Sequence, residues 1–185
     1  MLHALDVAIN EFGSRLEHVD EHEWAMPTPC SGWDVHYLAA HVVGGNRFAS
    51  LILDGMSAAD AMDAVMASAQ LGDDAIGAFI ATAVTQRKSF SEPGALDRRV
   101  DHPLGDISGL EFLQFRVFDL TLHAWDLARS IEVDDVLEPE LVDLVLRIVE
   151  RGPPGMGFEM SKLGAITAPS SAQSRLLHLT GRDPN

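Results

Sequence analysis

The chain has 185 residues, 46% of them hydrophobic, with a mean hydropathy of +0.06, enough apolar material for one globular domain over 1–185 and too much for a disordered chain. Acidic residues outnumber basic ones 28 to 13, a formal charge of −15 that repels phosphate backbones and anionic membrane surfaces, so neither nucleic acid nor membrane is an expected partner. Cys30 is the one cysteine, which excludes an internal disulfide and a cysteine-rich zinc site; with no signal-peptide pattern at the N-terminus and no apolar run of ~18–20 residues, the chain reads as a soluble cytoplasmic protein.

Apolar residues at Leu2, Leu5, Val7, Ile9, Phe12 and Leu16 recur at helical spacing and predict a first helix over 2–18. The segment 23–33, broken by Pro27, Pro29 and Gly32, reads as a loop. A second helix follows over about 33–53, with Ser31 or Gly32 near its N-cap, Asp34 in its first turn and Gly55 at its end. An Ala- and Met-rich short helix is expected over 57–70. Asp73 and Asp74 open a third long helix that reaches about Ser91, where Pro93-Gly94 stops it.

Residues 96–109 look irregular, with a short extended piece at 98–103. Ser108 and Glu111 have the spacing of a capping box and open a fourth long helix over 109–131. Pro139 starts a fifth helix over 139–151 that the run GPPGMGF closes; a Gly-, Pro- and Ser-rich loop and a short terminal helix over 171–180 complete the chain. Strand signals are nearly absent. The fold class is therefore all-α, a four-helix bundle with short additional helices.

Segment 111–131 carries the most chemistry. Arg116, Asp119, His123 and Asp126 fall within an arc of roughly 80° on one helix. Asp119 and His123, four residues apart, reach one point beside the helix and suit a pair of metal ligands. The ordinary alternative is a solvated polar face. Apolar residues flank the stripe on both sides, however, and a second weakly polar arc (Gln114, Thr121, Ala128) offers solvent another face.

Eight histidines compete for a third ligand position. His41 lies on an apolar stripe with Leu38, Val42, Gly45 and Phe48, and facing helices of a bundle build metal sites from such inward side chains. It can equally be a buried histidine satisfied by a backbone or carboxylate partner. Gly44-Gly45, one turn on, allows close helix approach or leaves room for a ligand. His18 and His22 sit among acidic residues and read as solvated; His36 and His102 can line a pocket mouth, and His3 and His178 look peripheral. Phosphate-binding loops, nucleophile elbows, zinc-protease motifs and dinucleotide fingerprints are absent. Cys30 has no evident partner for nucleophilic chemistry.

Three blocks, TPCSGWDVHYLAAHVVGGNRFA (28–49), DLTLHAWDLARSI (119–131) and RLLHLTGRDP (175–184), resemble an actinobacterial family of the DinB-like superfamily of metalloenzymes, near the N-terminal domain of mycothiol-dependent maleylpyruvate isomerase. The resemblance implies a DinB-like four-helix bundle holding a divalent metal (Zn, Ni, Fe or Mn) through His41, Asp119 and His123. Asp119 stands one methylene shorter than the glutamate of the isomerase, and the isomerase has a further C-terminal domain, so the resemblance extends to the site and not to the isomerase reaction.

Two imidazoles and one carboxylate leave coordination positions open, the condition for catalysis rather than for a closed structural site. The expectation is an enzyme in which the metal activates a small thiol, with mycothiol as co-substrate, or a water, for transfer or isomerisation on a small electrophilic substrate. The alternative is a non-catalytic bundle that binds metal or a small molecule, or a purely structural protein; the exposed faces of a bundle permit a homodimer. Asp126 is placed to orient His123, Arg116 to hold a substrate carboxylate or pair with Asp119, and Trp33 and Cys30 to line the mouth.

Overall fold

The computed structural model describes residues 1–68, 71–152 and 171–184. In chain order they form α1 (Leu2–Leu16), α2 (Val35–Leu53), α3 (Ala58–Met66), α4 (Ala75–Ser91), a hairpin of β1 (Arg99–His102) and β2 (Gly105–Ser108), α5 (Gly109–Ser130), α6 (Pro139–Arg151) and α7 (Ala172–Leu179). Helices α1, α5, α2 and α4 pack in that cyclic order, each against the next, and α6 packs on α5 and α7. This is the expected all-α bundle, with one hairpin added. The Gly-, Pro- and Ser-rich loop expected after α6 lies outside the described residues, as does the end of the segment 57–70.

Local chemistry sets most helix starts. Ser57, Asp74, Ser108 and Ser171 each accept a hydrogen bond from the backbone N–H three residues on, so each opens a helix. For α2 the cap is Asp34, not Ser31 or Gly32. The Thr28 N–H donates to the Trp33 carbonyl, Pro27 bridges to Asp34, and Asp34 stays extended while its carboxylate accepts from the Tyr37 N–H at 2.7 Å. The helix therefore starts only at Val35.

The extended piece expected at 98–103 becomes β1, and its partner β2 pairs with it in antiparallel register, Arg99 opposite Ser108 and His102 opposite Gly105. Val100 and Ile107 point one way into the core and their neighbours face outward, the alternation of a half-buried ribbon. Gly105, the first residue after the two-residue turn Pro103–Leu104, takes a positive φ of 111°, a conformation glycine adopts without cost.

Helix α5 is the centre of the molecule. Every residue from Leu120 to Ala128 is buried, including Thr121 and Ala128 on the arc expected to meet water. A helix buried on all sides is a core helix, and the Thr121 hydroxyl is satisfied by donating to the Val117 carbonyl at 2.6 Å. Its N-terminus is fixed by the capping box: the Glu111 N–H donates to Ser108 Oγ at 3.2 Å and the Ser108 N–H to Glu111 Oε2 at 2.6 Å. Gly109 follows because a Cβ there would overlap the Ala95 carbonyl.

Ser108→Ala is expected to cost about 1 kcal/mol, a fall in Tm of about 3 °C for a chain of this size, read by thermal unfolding. The bonds from the Ser108 backbone and hydroxyl hold the Glu111 carboxyl below its ordinary 4.5. The stability advantage over Glu111→Gln is therefore present above about pH 4.5 and shrinks as the pH falls through the lower folded value.

Candidate metal and substrate site

The polar stripe of α5 faces inward. Arg116, His123 and Asp126 are buried and Asp119 is mostly so. His41, from the facing side of α2, meets them: its Nε2 lies 3.3 Å from Asp119 Oδ1, and His123 Nε2 lies 3.4 Å from the same oxygen. All three donor atoms fall within 4.8 Å of one another. Two ligands bound at about 2.1 Å to one tetrahedral ion are separated by about 3.4 Å, so the spacing and the donor set fit a divalent cation.

The remaining polar atoms of Asp119, His123 and Arg116 are held by neighbours. His123 Nδ1 donates to Asp126 Oδ2 at 2.9 Å. Asp126 is fully buried and is clamped by Arg182, whose Nε and Nη2 reach Oδ1 and Oδ2 at 2.7 and 2.6 Å. Cys30 Sγ donates to Asp126 Oδ2 at 3.3 Å. On the other side Arg116 Nη1 donates to Asp119 Oδ2 at 2.7 Å, Nη2 to Asn46 Oδ1 at 2.8 Å, and Nε to Gln86 Oε1 at 3.2 Å. Of the two readings for Arg116, the structure displays the ion pair with Asp119. Gly45 makes room for it, because a Cβ at that position would overlap the guanidinium.

Burial works against the charges of Asp119, His123 and Asp126, and their partners outweigh it. Asp119 would be raised by burial but is held well below the usual carboxylate range by His123, Arg116 and His41. Burial would lower His123, yet Asp119 and the bonds to Asp126 and Cys30 hold it well above an ordinary imidazole. Asp126 is kept low, against burial, by His123 and Arg182. A second group with ligand spacing, Cys30, His123 and Asp126, uses the opposite ring nitrogen of His123. There the Arg182 clamp and the His123–Asp126 bond already occupy the lone pairs a metal would need.

Trp33 packs on both imidazoles, with ring centroids 4.8 Å from His41 and 5.7 Å from His123. His41 and Asp119 also line a cavity of about 790 Å³ between α2, α3, the hairpin and α5, within the size range of small-molecule sites. His102 lines it too, stacked on Phe115. His36 instead packs edge-on to Trp24 at the surface, and His18 bonds the Ser14 carbonyl. Arg182, Asn46 and Gln86 were not legible as site residues. Asp126 and Arg182 stand 56 positions apart, and Asn46 and Gln86 sit on helices where nothing but burial marks them.

Residues 5–128 match the mycothiol maleylpyruvate isomerase N-terminal domain family. Two proteins of Mycobacterium tuberculosis, uncharacterized protein Rv0738 (strain H37Rv) and uncharacterized protein MT0763 (strain CDC 1551 / Oshkosh), are each 33% identical over 138 residues, 72% of this chain and 69% of theirs. Crystal structures of the mycothiol-dependent maleylpyruvate isomerase and of a histidine-to-alanine mutant of it superpose with TM-scores of 0.61 and 0.64 at 18% and 17% identity. They cover 80% of this chain, which spans 65% of the isomerase chains. At that identity they show a shared fold. With the family match over most of the bundle and relatives at one-third identity, the chain belongs to the mycothiol maleylpyruvate isomerase N-terminal domain family, on a DinB-like helical bundle.

Proposed function

We propose that this protein is a metal-dependent enzyme in which His41, Asp119 and His123 hold a divalent cation and a small thiol, of the mycothiol kind used by its structural relatives, attacks an electrophilic substrate in the adjoining cavity. The observation that carries this reading is one carboxylate oxygen set 3.3 and 3.4 Å from two imidazole nitrogens on facing helices. When bound, a divalent cation supplies the Lewis acidity that lets a coordinated thiol or water lose its proton near neutral pH. Nitrogen and oxygen donors of this kind accept zinc, nickel, iron or manganese.

The chain's own residues do the positioning. Arg116 draws away Asp119 Oδ2 and leaves Oδ1 turned to the two imidazoles. Asp126, clamped by Arg182, fixes the His123 ring with Nε2 toward the site, the outer support that ligating imidazoles commonly have. Trp33 covers the imidazole pair and keeps bulk water from that side. Asp119 and His41 keep part of their surface open, on the side where the cavity admits substrate.

Protein purified without a tag is expected to carry about one equivalent of metal by elemental analysis, and to transfer a thiol to an electrophile only when loaded. His41→Ala, Asp119→Ala and His123→Ala should each abolish both; turnover unchanged in any of them overturns the site. Stoichiometric metal with no turnover across thiol and ester panels leaves a binding module instead.

Arg182→Ala should leave a folded protein whose metal affinity is lower by about 10–100-fold, with Arg182→Lys intermediate, by competition with a chelating dye. Binding is also proton-linked. His123 is held above its ordinary 6.5 and carries a proton in the metal-free protein near neutrality, which must leave for Nε2 to coordinate. Affinity is therefore expected to rise with pH above 6.5 by up to about tenfold per unit, with proton release seen by calorimetry in buffers of different ionisation enthalpy.

A further inference from the structure

The cavity extends well past the three candidate ligands. His41 meets Asp119, while seven residues further along α2 Phe48 meets Phe112, seven residues back along α5. The two helices thus run antiparallel, and the cavity follows their groove for two turns, about 10 Å. Its far end is aromatic: Phe48, Phe112 and Phe115 surround His102, whose ring lies within 4° of parallel to Phe115 at 5.6 Å.

The polarity of that end is set by His102. The Leu104 N–H donates to His102 Nδ1 at 3.2 Å, which leaves the ring proton on Nε2, and Nε2 has no partner among the described residues. Burial keeps the ring below the usual imidazole range, against the pull of Asp101, so it is neutral at physiological pH. Among the described lining residues the charged side chains are Arg116 and Asp119, and these are spent on each other, with Arg116 also held by Asn46 and Gln86. Nothing at the far end compensates a carboxylate, which would be desolvated against phenyl rings in a protein of charge −15.

From this geometry we infer that the cavity takes an elongated, uncharged, ring-bearing substrate, its reactive group at the His41 end and a hydrogen-bond-accepting oxygen at the His102 Nε2–H. The assignment of a reactive end rests on the proposed metal site; the binding preference does not. It is tested on metal-free protein with three naphthalenes of matched shape: 2-acetylnaphthalene, 2-naphthoate and 2-ethylnaphthalene.

The ketone is expected to bind at least tenfold more tightly than the carboxylate. His102→Phe, which keeps an aromatic ring beside Phe115, should weaken the ketone by about fivefold, the effect of one lost neutral hydrogen bond, and leave the hydrocarbon unchanged. In wild-type protein the His102 Nε2 resonance should shift with the ketone and not with the hydrocarbon, a readout that needs no variant. Naphthoate binding as tightly as the ketone, no binding by any of the three, or a silent His102 ring overturns the inference. Zinc titration of the same samples is independent: protein that binds the ketone but no zinc keeps the cavity assignment and loses the metal site.

Discussion

The structure depends on one carboxylate. Asp119 sits on the central helix with Oδ1 turned to two imidazoles and Oδ2 to a guanidinium, and a carboxylate removed from water survives only with its partners in place. Asp119 itself keeps a quarter of its side chain exposed, and its partners come with conditions of their own. Arg116 must be buried to reach Asp119, so it needs Asn46 from α2 and Gln86 from α4 for its other nitrogens, and it needs the missing side chain at Gly45 for space. His123 needs Asp126, and Asp126 needs Arg182 from beyond α7. A single row of charges on α5 thereby constrains how α2, α4 and the C-terminal segment pack around it. Networks of this kind are rigid when every member is satisfied and costly when one is missing.

The same row explains what the sequence disclosed. The i, i+4 pair Asp119 and His123, the inward stripe at His41 and the capping box at Ser108 and Glu111 are local patterns, and each is found in the coordinates where its spacing put it. The direction of the stripe could not be read from periodicity, because a polar arc between two apolar flanks looks alike whether it faces water or the centre of a bundle. Burial on all sides of α5 decides it, through the helices that cover the Thr121 and Ala128 arc. The start of α2 was misjudged for a local reason: three capping residues crowd 31–34, and the bridge from Pro27 to Asp34 selects the last. The second strand was missed because Gly105 and Asp106 are poor strand formers, and only pairing with β1 makes them extended.

Arg182 shows the limit most clearly. A lone arginine following a short helix carries no signal of burial, yet it makes two of the shortest charge-assisted bonds around the site. Its partner is identifiable only once the terminal helix packs against α6, which is a tertiary fact. The helices that carry the candidate ligands were therefore legible in a way that their supporting contacts were not.

The two ends of the cavity are built from different parts of the fold. The end that carries the proposed ligands belongs to α2 and α5, helices of the bundle itself, and there Asp119, His123 and Arg116 are tied into one network with Asn46, Gln86, Asp126 and Arg182. The far end is closed by α3 and the hairpin, which are connections between bundle helices, and the two are joined to each other: the Ala58 N–H at the start of α3 donates to Asp101 Oδ2 on β1 at 2.8 Å. Met62 and Met66 of α3 line the cavity and, as flexible thioethers, adapt to different occupants. The residues of this connecting unit that line the cavity, Met62, Val65, Met66, His102, Pro103 and Leu104, are separate from Asp119 and its hydrogen-bond partners. On the proposed reading the reactive end belongs to the bundle and the selective end to its connections, an arrangement in which the molecule accepted can vary while the chemistry stays the same.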